Sequence, residues 1–180
     1  MSSLKSISKF QIFSVILSVI LGTFLHFVFQ WSSYNPVIAA FSATNESVWE
    51  HLKLVFYPML ILAIVEYFVV KKEANNYIEA KSLGIFLAIA FIIVFYYTYT
   101  GIIGKTFFII DILTFIISII LGEWVSYKLM IRKSESTTLS KILSSAIIFY
   151  FLISFILFTY NPPNINLFKD PTQIMNRLYM

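Results

Sequence analysis

Residues 44–70, TNESVWEHLKLVFYPMLILAIVEYFVV, join a dense polar run to an apolar run of nearly membrane-spanning length. Glu46, Trp49, Glu50, His51 and Lys53 gather two carboxylates, an indole, an imidazole and an amine at one end, and the following Leu54 to Val70 carries a single charge, Glu66. A helix rises about 1.5 Å per residue and needs about 20 largely apolar residues to cross the hydrocarbon of a bilayer. The stretch therefore reads as a transmembrane helix whose chemistry is collected at its amino-terminal end.

Working outward, the same length criterion gives an all-α, five-helix transmembrane domain over 1–180. Its helices are expected at about 10–30, 46–70, 83–103, 107–131 and 142–160, with a short tail over 161–180. Long continuous apolar runs, without an alternating pattern of about ten residues, exclude a barrel. The composition agrees: 59% hydrophobic and 12% charged residues lie far outside soluble norms. The absence of cysteine removes disulfides, thiolate metal sites and thiol nucleophiles. A net charge of +4 comes from basic residues scattered between apolar runs, which are topology signals and no nucleic-acid surface. No Gly-rich phosphate loop, HExxH, GxSxG or internal repeat is present. The first apolar run is longer than the h-region of a signal peptide, so it is expected to be a retained helix.

Orientation follows from the basic residues of short loops. Lys5, Lys9, Lys71, Lys72, Lys81, Lys128, Arg132, Lys133 and Lys141 fall on one side, and Lys53, Lys105, Lys169 and Arg177 on the other. The amino terminus is expected inside and the carboxyl terminus outside, with the 44–53 stretch at the outer surface. There Ser47-x-x-Glu50 has the spacing of a capping box, with Asn45 as the competing cap, so the Asn45-Glu46-Ser47 sequon reads as cap chemistry. Pro58 is expected to kink the second helix. Pro162-Pro163 should stop the fifth, and Leu167 and Phe168 favour a packed tail, which also carries Asp170, Arg177 and Tyr179.

Placed by depth, the polar residues form two groups. The outer group holds His26, the run Tyr96-Tyr97-Thr98-Tyr99-Thr100, Asp111 and the 44–53 stretch; the inner group is Glu66 and Glu123, at nearly one level. Intramembrane ionisable residues are functional candidates because an unpaired charge there costs several kcal/mol. Glu66 and Glu123 are either neutralised by protonation or by Lys71, Lys72 or Lys128 at the boundary, or they meet and share a proton or cation. Outside, one reading is a polar cap: a capping box, an ion pair to Lys53, which continues the face shared by Glu46 and Glu50, and Trp49 in the aromatic belt. The other is a site in which His26, Glu46, Glu50, His51 and Asp111 bind a divalent metal. Zinc, manganese or iron suits that oxygen and nitrogen set, with Glu46, Glu50, His51 and Asp111 as catalytic groups and Lys53, Tyr97 and Tyr99 contacting the ligand.

The stretch 44–58, together with His26, Trp31, Tyr96 to Gly101, Asp111 and the closing FTYNPP, LF and Asp170, resembles a family of small bacterial, mainly Firmicutes, integral membrane proteins of unknown function. The resemblance covers nearly the whole chain. It implies a multi-pass location in the bacterial cytoplasmic membrane and brings no activity, substrate or cofactor. Membrane hydrolases related to alkaline ceramidases differ in having seven helices and an HxxxH pair. The sequence thus points to an outward-facing polar pocket that takes a small polar ligand, a lipid substrate or a metal, with hydrolysis as its reaction. Transport along Glu66 and Glu123 and a noncatalytic partner subunit are the alternatives.

Overall fold

In the computed structural model, residues 2–70, 73–132 and 135–172 are described, with side chains from Ile7 onward. Each long apolar run becomes a helix: α1 (Ser2–Trp31), the short α2 (Pro36–Ala39), α3 (Val48–Val70), α4 (Tyr77–Ile103), α5 (Phe108–Ile131) and α6 (Thr138–Tyr160), then a 3₁₀ turn at Asn166–Phe168. No strand occurs among the described residues, and five helices are long and apolar enough to cross a membrane. The fold is that of a multi-pass membrane protein. Lys71, Lys72, Lys133, Arg177 and Tyr179, and the side chain of Lys5, lie outside the described residues.

The arrangement centres on α3. It packs against α1, α4, α5 and α6, and 61% of its most apolar window is buried, against 11% for α6. Phe13, Phe24, Ile109 and Phe149 point away from the bundle, where lipid satisfies them as well as protein would. Inside, Leu52, Val55, Phe56 and Met59 of α3 meet Ile85, Ile89 and Ile92 of α4, Ile119 of α5 and Phe155 of α6. Since apolar side chains gain little by leaving lipid, this layer holds by close van der Waals packing.

Two backbone approaches set the geometry. Pro58 has no N–H to give the carbonyl of Leu54, four residues back. That carbonyl lies against Gly22 of α1, where an added Cβ would stand 2.4 Å from it, so α1 comes close to α3 one helical turn from His26. At the α4–α5 crossing, Gly84 and Gly122 face each other, and a Cβ on Gly122 would stand 2.6 Å from the Gly84 carbonyl. Ser126 Oγ sits beside this crossing, 2.9 Å from the Gly122 carbonyl and 3.0 Å from the Ala80 carbonyl. α3 continues through Pro58 as one helix.

The helix starts differ from the sequence expectation. α3 begins at Val48, after Glu46, and α4 begins at Tyr77, well before the apolar run from Leu83, which places Lys81 inside a helix and not in a loop. α6 starts at a capping box of Thr137 and Ser140, and the Ser136 and Ser140 hydroxyls donate to Glu79 of α4. The α1–α3 connection folds back on the bundle. Ser33 and Tyr34 take left-handed conformations (φ 56° and 61°), and Asn35 caps α2 by accepting from Val37 N–H at 2.9 Å. Ser42 Oγ accepts from Phe29 N–H at 3.1 Å and donates to the Leu25 carbonyl. The described part of the tail packs as expected: the ring of Phe168 stands 4.8 Å from that of Trp49, as does Phe155 of α6, and Trp49 is buried and so lies outside the aromatic belt foreseen for it.

Gly122→Ala should lower stability in detergent by about 1–3 kcal/mol by forcing the α4–α5 crossing apart. Gly101→Ala, whose Cβ would meet nothing within 4 Å, should change it by no more than about 0.5 kcal/mol. Thermal unfolding of the two variants side by side checks the difference.

Candidate functional site

The polar stretch divides into two systems, because Glu46 precedes the first helical residue and does not share a helix face with Glu50. Glu50 turns inward. Its Oε2 takes Lys53 Nζ at 2.7 Å and the Thr44 backbone N–H and hydroxyl at 2.8 Å each. Lys53 Nζ also donates to the Ala39 carbonyl at 2.8 Å and to Thr159 Oγ1 at 2.9 Å, so all three of its protons are used. Lys53 is fully buried and Glu50 is 3% exposed. Only half of the expected capping box forms: Ser47 Oγ accepts from Glu50 N–H at 3.3 Å, while the Glu50 carboxylate is engaged elsewhere. Asn45 Oδ1 accepts from Ser47 N–H at 2.9 Å, the cap role that competed with it. Glu50 and Lys53, expected as a metal ligand and a ligand contact, thus stand in a structural ion pair joining α3, α6 and the α1–α3 connection.

Glu46, His51 and His26 form the second system. The His51 Nε2 to Glu46 Oε2 distance is 3.4 Å, and His26 Nε2 lies 3.8 Å from Glu46 Oε1. One ligand atom from each residue lies within 4.8 Å of the others. His51 Nδ1 is 2.9 Å from the Ser47 carbonyl, which can only accept, so Nδ1 carries a proton and Nε2 is turned toward Glu46. The His51 hydrogen bond holds the Glu46 carboxyl below the usual carboxylate range, against a smaller opposing effect of burial. A metal about 2.0–2.1 Å from each of four tetrahedral ligands separates the ligand atoms by about 3.3 Å. The His51–Glu46 contact is close to that spacing, whereas the set as a whole converges only to within 4.8 Å, so holding one ion would need the three side chains to draw closer together.

These three residues open into a cavity of about 430 Å³ between α1, α3, α4 and α5, shared with Asp111 and Tyr96. Its remaining walls are largely apolar, including Val19, Leu54, Ile92, Phe115 and Ile116, and Pro171 and Thr172 of the tail close one side. Asp111 is held by the Tyr99 hydroxyl, which also accepts from Phe107 N–H at 3.4 Å. Tyr97, expected at the pocket, is instead on an exposed face; Tyr96, about 100° around the helix, lines the cavity in its place. Tyr99 reaches the site through Asp111.

At the other end of the bundle, Glu66 and Glu123 meet, bridged by a residue that the sequence reading assigned to a loop. Lys81 Nζ is 2.6 Å from Glu66 Oε2 and 2.6 Å from Glu123 Oε2. Gln11 Nε2 donates to Glu66 Oε1 at 2.7 Å, and the Tyr77 hydroxyl is 2.7 Å from the Ala63 carbonyl and 3.2 Å from Glu66 Oε2. Asn75-Asn76, turn residues directly ahead of Tyr77, were the available signal that α4 starts early enough to carry Lys81 inward. Gln11 had no such signal, because a single glutamine in an apolar run gives no partner. A further cavity of about 590 Å³ lies at this end, lined by Tyr67, Tyr77, Ile78, Glu135 and Lys141.

The chain belongs to a family of unknown function, DUF6512, whose profile spans residues 1–176. No curated protein and no solved structure matches it. Family membership covers nearly the whole chain and assigns no reaction, so the chemistry rests on the side-chain geometry.

Glu50→Gln or Lys53→Met should each destabilise the protein by roughly 3–5 kcal/mol by leaving a buried charge unpaired, and the double variant by less than the sum. Denaturant unfolding in detergent measures both. Because the Glu46 pKa is lower in the folded state, its contribution to stability is present at neutral pH and disappears as pH falls through the depressed folded value. Chelator-treated Glu46→Gln should therefore lose less thermal stability than the wild type on acidification from about pH 5 to pH 3, a modest difference because the side chain is half exposed.

Proposed function

We propose that the His26, Glu46 and His51 cavity is a divalent-metal site that hydrolyses an ester or amide bond of an amphipathic, lipid-like substrate. The observation that carries this reading is the convergence of the three ligand atoms within 4.8 Å on a cavity that also holds Asp111. Two histidines and a glutamate, with a fourth position left for water, form a recurrent catalytic zinc set; manganese and ferrous iron also accept it. Such an ion supplies an acidified water and polarises a carbonyl.

The chain's own residues account for the rest. The Ser47 carbonyl fixes the His51 ring, the outer-sphere contact that ligating histidines characteristically make. Asp111 is the proton acceptor, oriented by Tyr99. The apolar walls take an acyl chain, and about 430 Å³ lies within the usual range of ligand sites, about 300–1,000 Å³. Lys81 and Lys53 are both buried, which removes one basic residue from each side of the topology count and leaves its bias unchanged. On that orientation the cavity lies toward the outer face. The transport alternative is less well supported: Met59, Ile85, Ile89 and Ile119 form a packed apolar layer along the helices between the two polar clusters.

Protein purified without chelator should carry stoichiometric zinc, manganese or iron, and His26→Ala, Glu46→Gln and His51→Ala should lose it. Asp111→Asn should retain the metal while hydrolysis of a short-chain fluorogenic ester or amide falls about 10²–10⁴-fold. Absence of bound metal from the wild type, including after incubation with each of the three ions, would overturn the proposal.

A further inference from the structure

Gln11, Glu66, Tyr77, Lys81 and Glu123 come from four helices, and each is more than nine-tenths buried. Two carboxylates face one ammonium, so with all three ionised the cluster carries a surplus negative charge away from water. The donors run out before the acceptors do. Lys81 serves one oxygen of each carboxylate and Gln11 serves the second oxygen of Glu66, while Glu123 Oε1 and Gln11 Oε1 are buried without a partner. The Tyr77 hydroxyl has one proton, and its shorter contact is to the Ala63 carbonyl, which can only accept. Its lone pair is therefore available toward Glu66, 3.2 Å away.

A buried site with an excess charge and orphaned acceptors is completed by one added proton. We infer that the Glu66–Lys81–Glu123 cluster binds a single exchangeable proton, shared by the two carboxylates, at a site separate from the metal-binding cavity. The groups concerned are Gln11 from α1, Glu66 from α3, Tyr77 and Lys81 from α4 and Glu123 from α5; Lys9, the other described basic residue near the start of α1, is exposed. Tyr77 lines the 590 Å³ cavity and its hydroxyl touches Glu66, so the cavity is the side of the cluster from which the proton exchanges. Glu135 and Lys141 line the same cavity and connect it to polar loop surface. The inference does not depend on the hydrolase reading, since no residue is common to the two sites.

Infrared difference spectroscopy of the purified protein in lipid nanodiscs tests it through the carbonyl stretch of a protonated carboxylic acid. The wild type should show this band at neutral pH, shifted in D₂O. Glu66→Gln and Glu123→Gln should each abolish it, because one remaining carboxylate balances Lys81. Lys81→Met should instead roughly double it, because both carboxylates must then be neutral. Asp111→Asn should leave it unchanged. The inference is overturned if the wild type lacks the band at neutral pH, if it persists in both glutamine variants, or if it disappears in Asp111→Asn. Loss of the wild-type band on adding sodium or lithium at constant pH would likewise overturn it, by assigning the site to a metal cation. The two glutamine variants are near-isosteric, so the test stands even if Lys81→Met does not fold.

Discussion

A lysine ammonium with no access to water must spend all three of its protons on fixed acceptors, and in this protein Lys53 spends them on three separate parts of the chain. Glu50 lies on its own helix, Thr159 at the end of α6, and Ala39 in the connection that folds back over the bundle. In an apolar surround such a pair cannot loosen gradually, because an ion released from its partner has nothing else to bind. The remaining contacts at this end are arranged around it. Tyr57 donates to the Ala40 carbonyl at 2.9 Å, Tyr160 donates to the Pro36 carbonyl at 2.5 Å, and Trp49 fills the space between α6 and the tail.

By anchoring Glu50, the pair fixes the phase of the first turn of α3, and phase decides where His51 points. A residue one position further along a helix is turned by about 100°, so the inward set of Glu50 directs His51 toward α1 and its His26. Gly22 and the carbonyl freed by Pro58 bring α1 close enough for the two imidazoles to stand 5.3 Å apart. The ion pair and the candidate ligand set are thus consecutive consequences of one helix start. The cluster at the opposite end also buries charge by pairing it, but sets two carboxylates, Glu66 and Glu123, against the single ammonium of Lys81.

Much of the fold was legible in the sequence, for a simple reason: runs of lipid-compatible length leave few alternatives to helix. The errors fall where apolarity and helicity part company. α4 starts among polar residues ahead of its apolar run, so Lys81 was counted as a loop cation although it is buried between two glutamates. The spacing of Glu46 and Glu50 suggested a shared face, yet the rule holds only within a helix and Glu46 lies before it. His26, Glu46, His51 and Asp111 were grouped in one candidate site, together with Glu50 and Lys53, which turn away from it into their own ion pair. The departure of Glu50 and Lys53, and the replacement of Tyr97 by Tyr96 on the cavity wall, depended on helix starts and rotations that a single sequence does not encode.

The wall formed by Pro171 and Thr172 has a consequence for biogenesis. α1 is synthesised before the other described helices, whereas Pro171 and Thr172, which line the cavity beside it, come after all of them. A nascent protein with all five helices made would therefore still lack the Pro171 and Thr172 side of the cavity, which follows the Phe168 contact with Trp49 along the chain. The helices supply most of the cavity, and its last wall is contributed by the last described residues to be made.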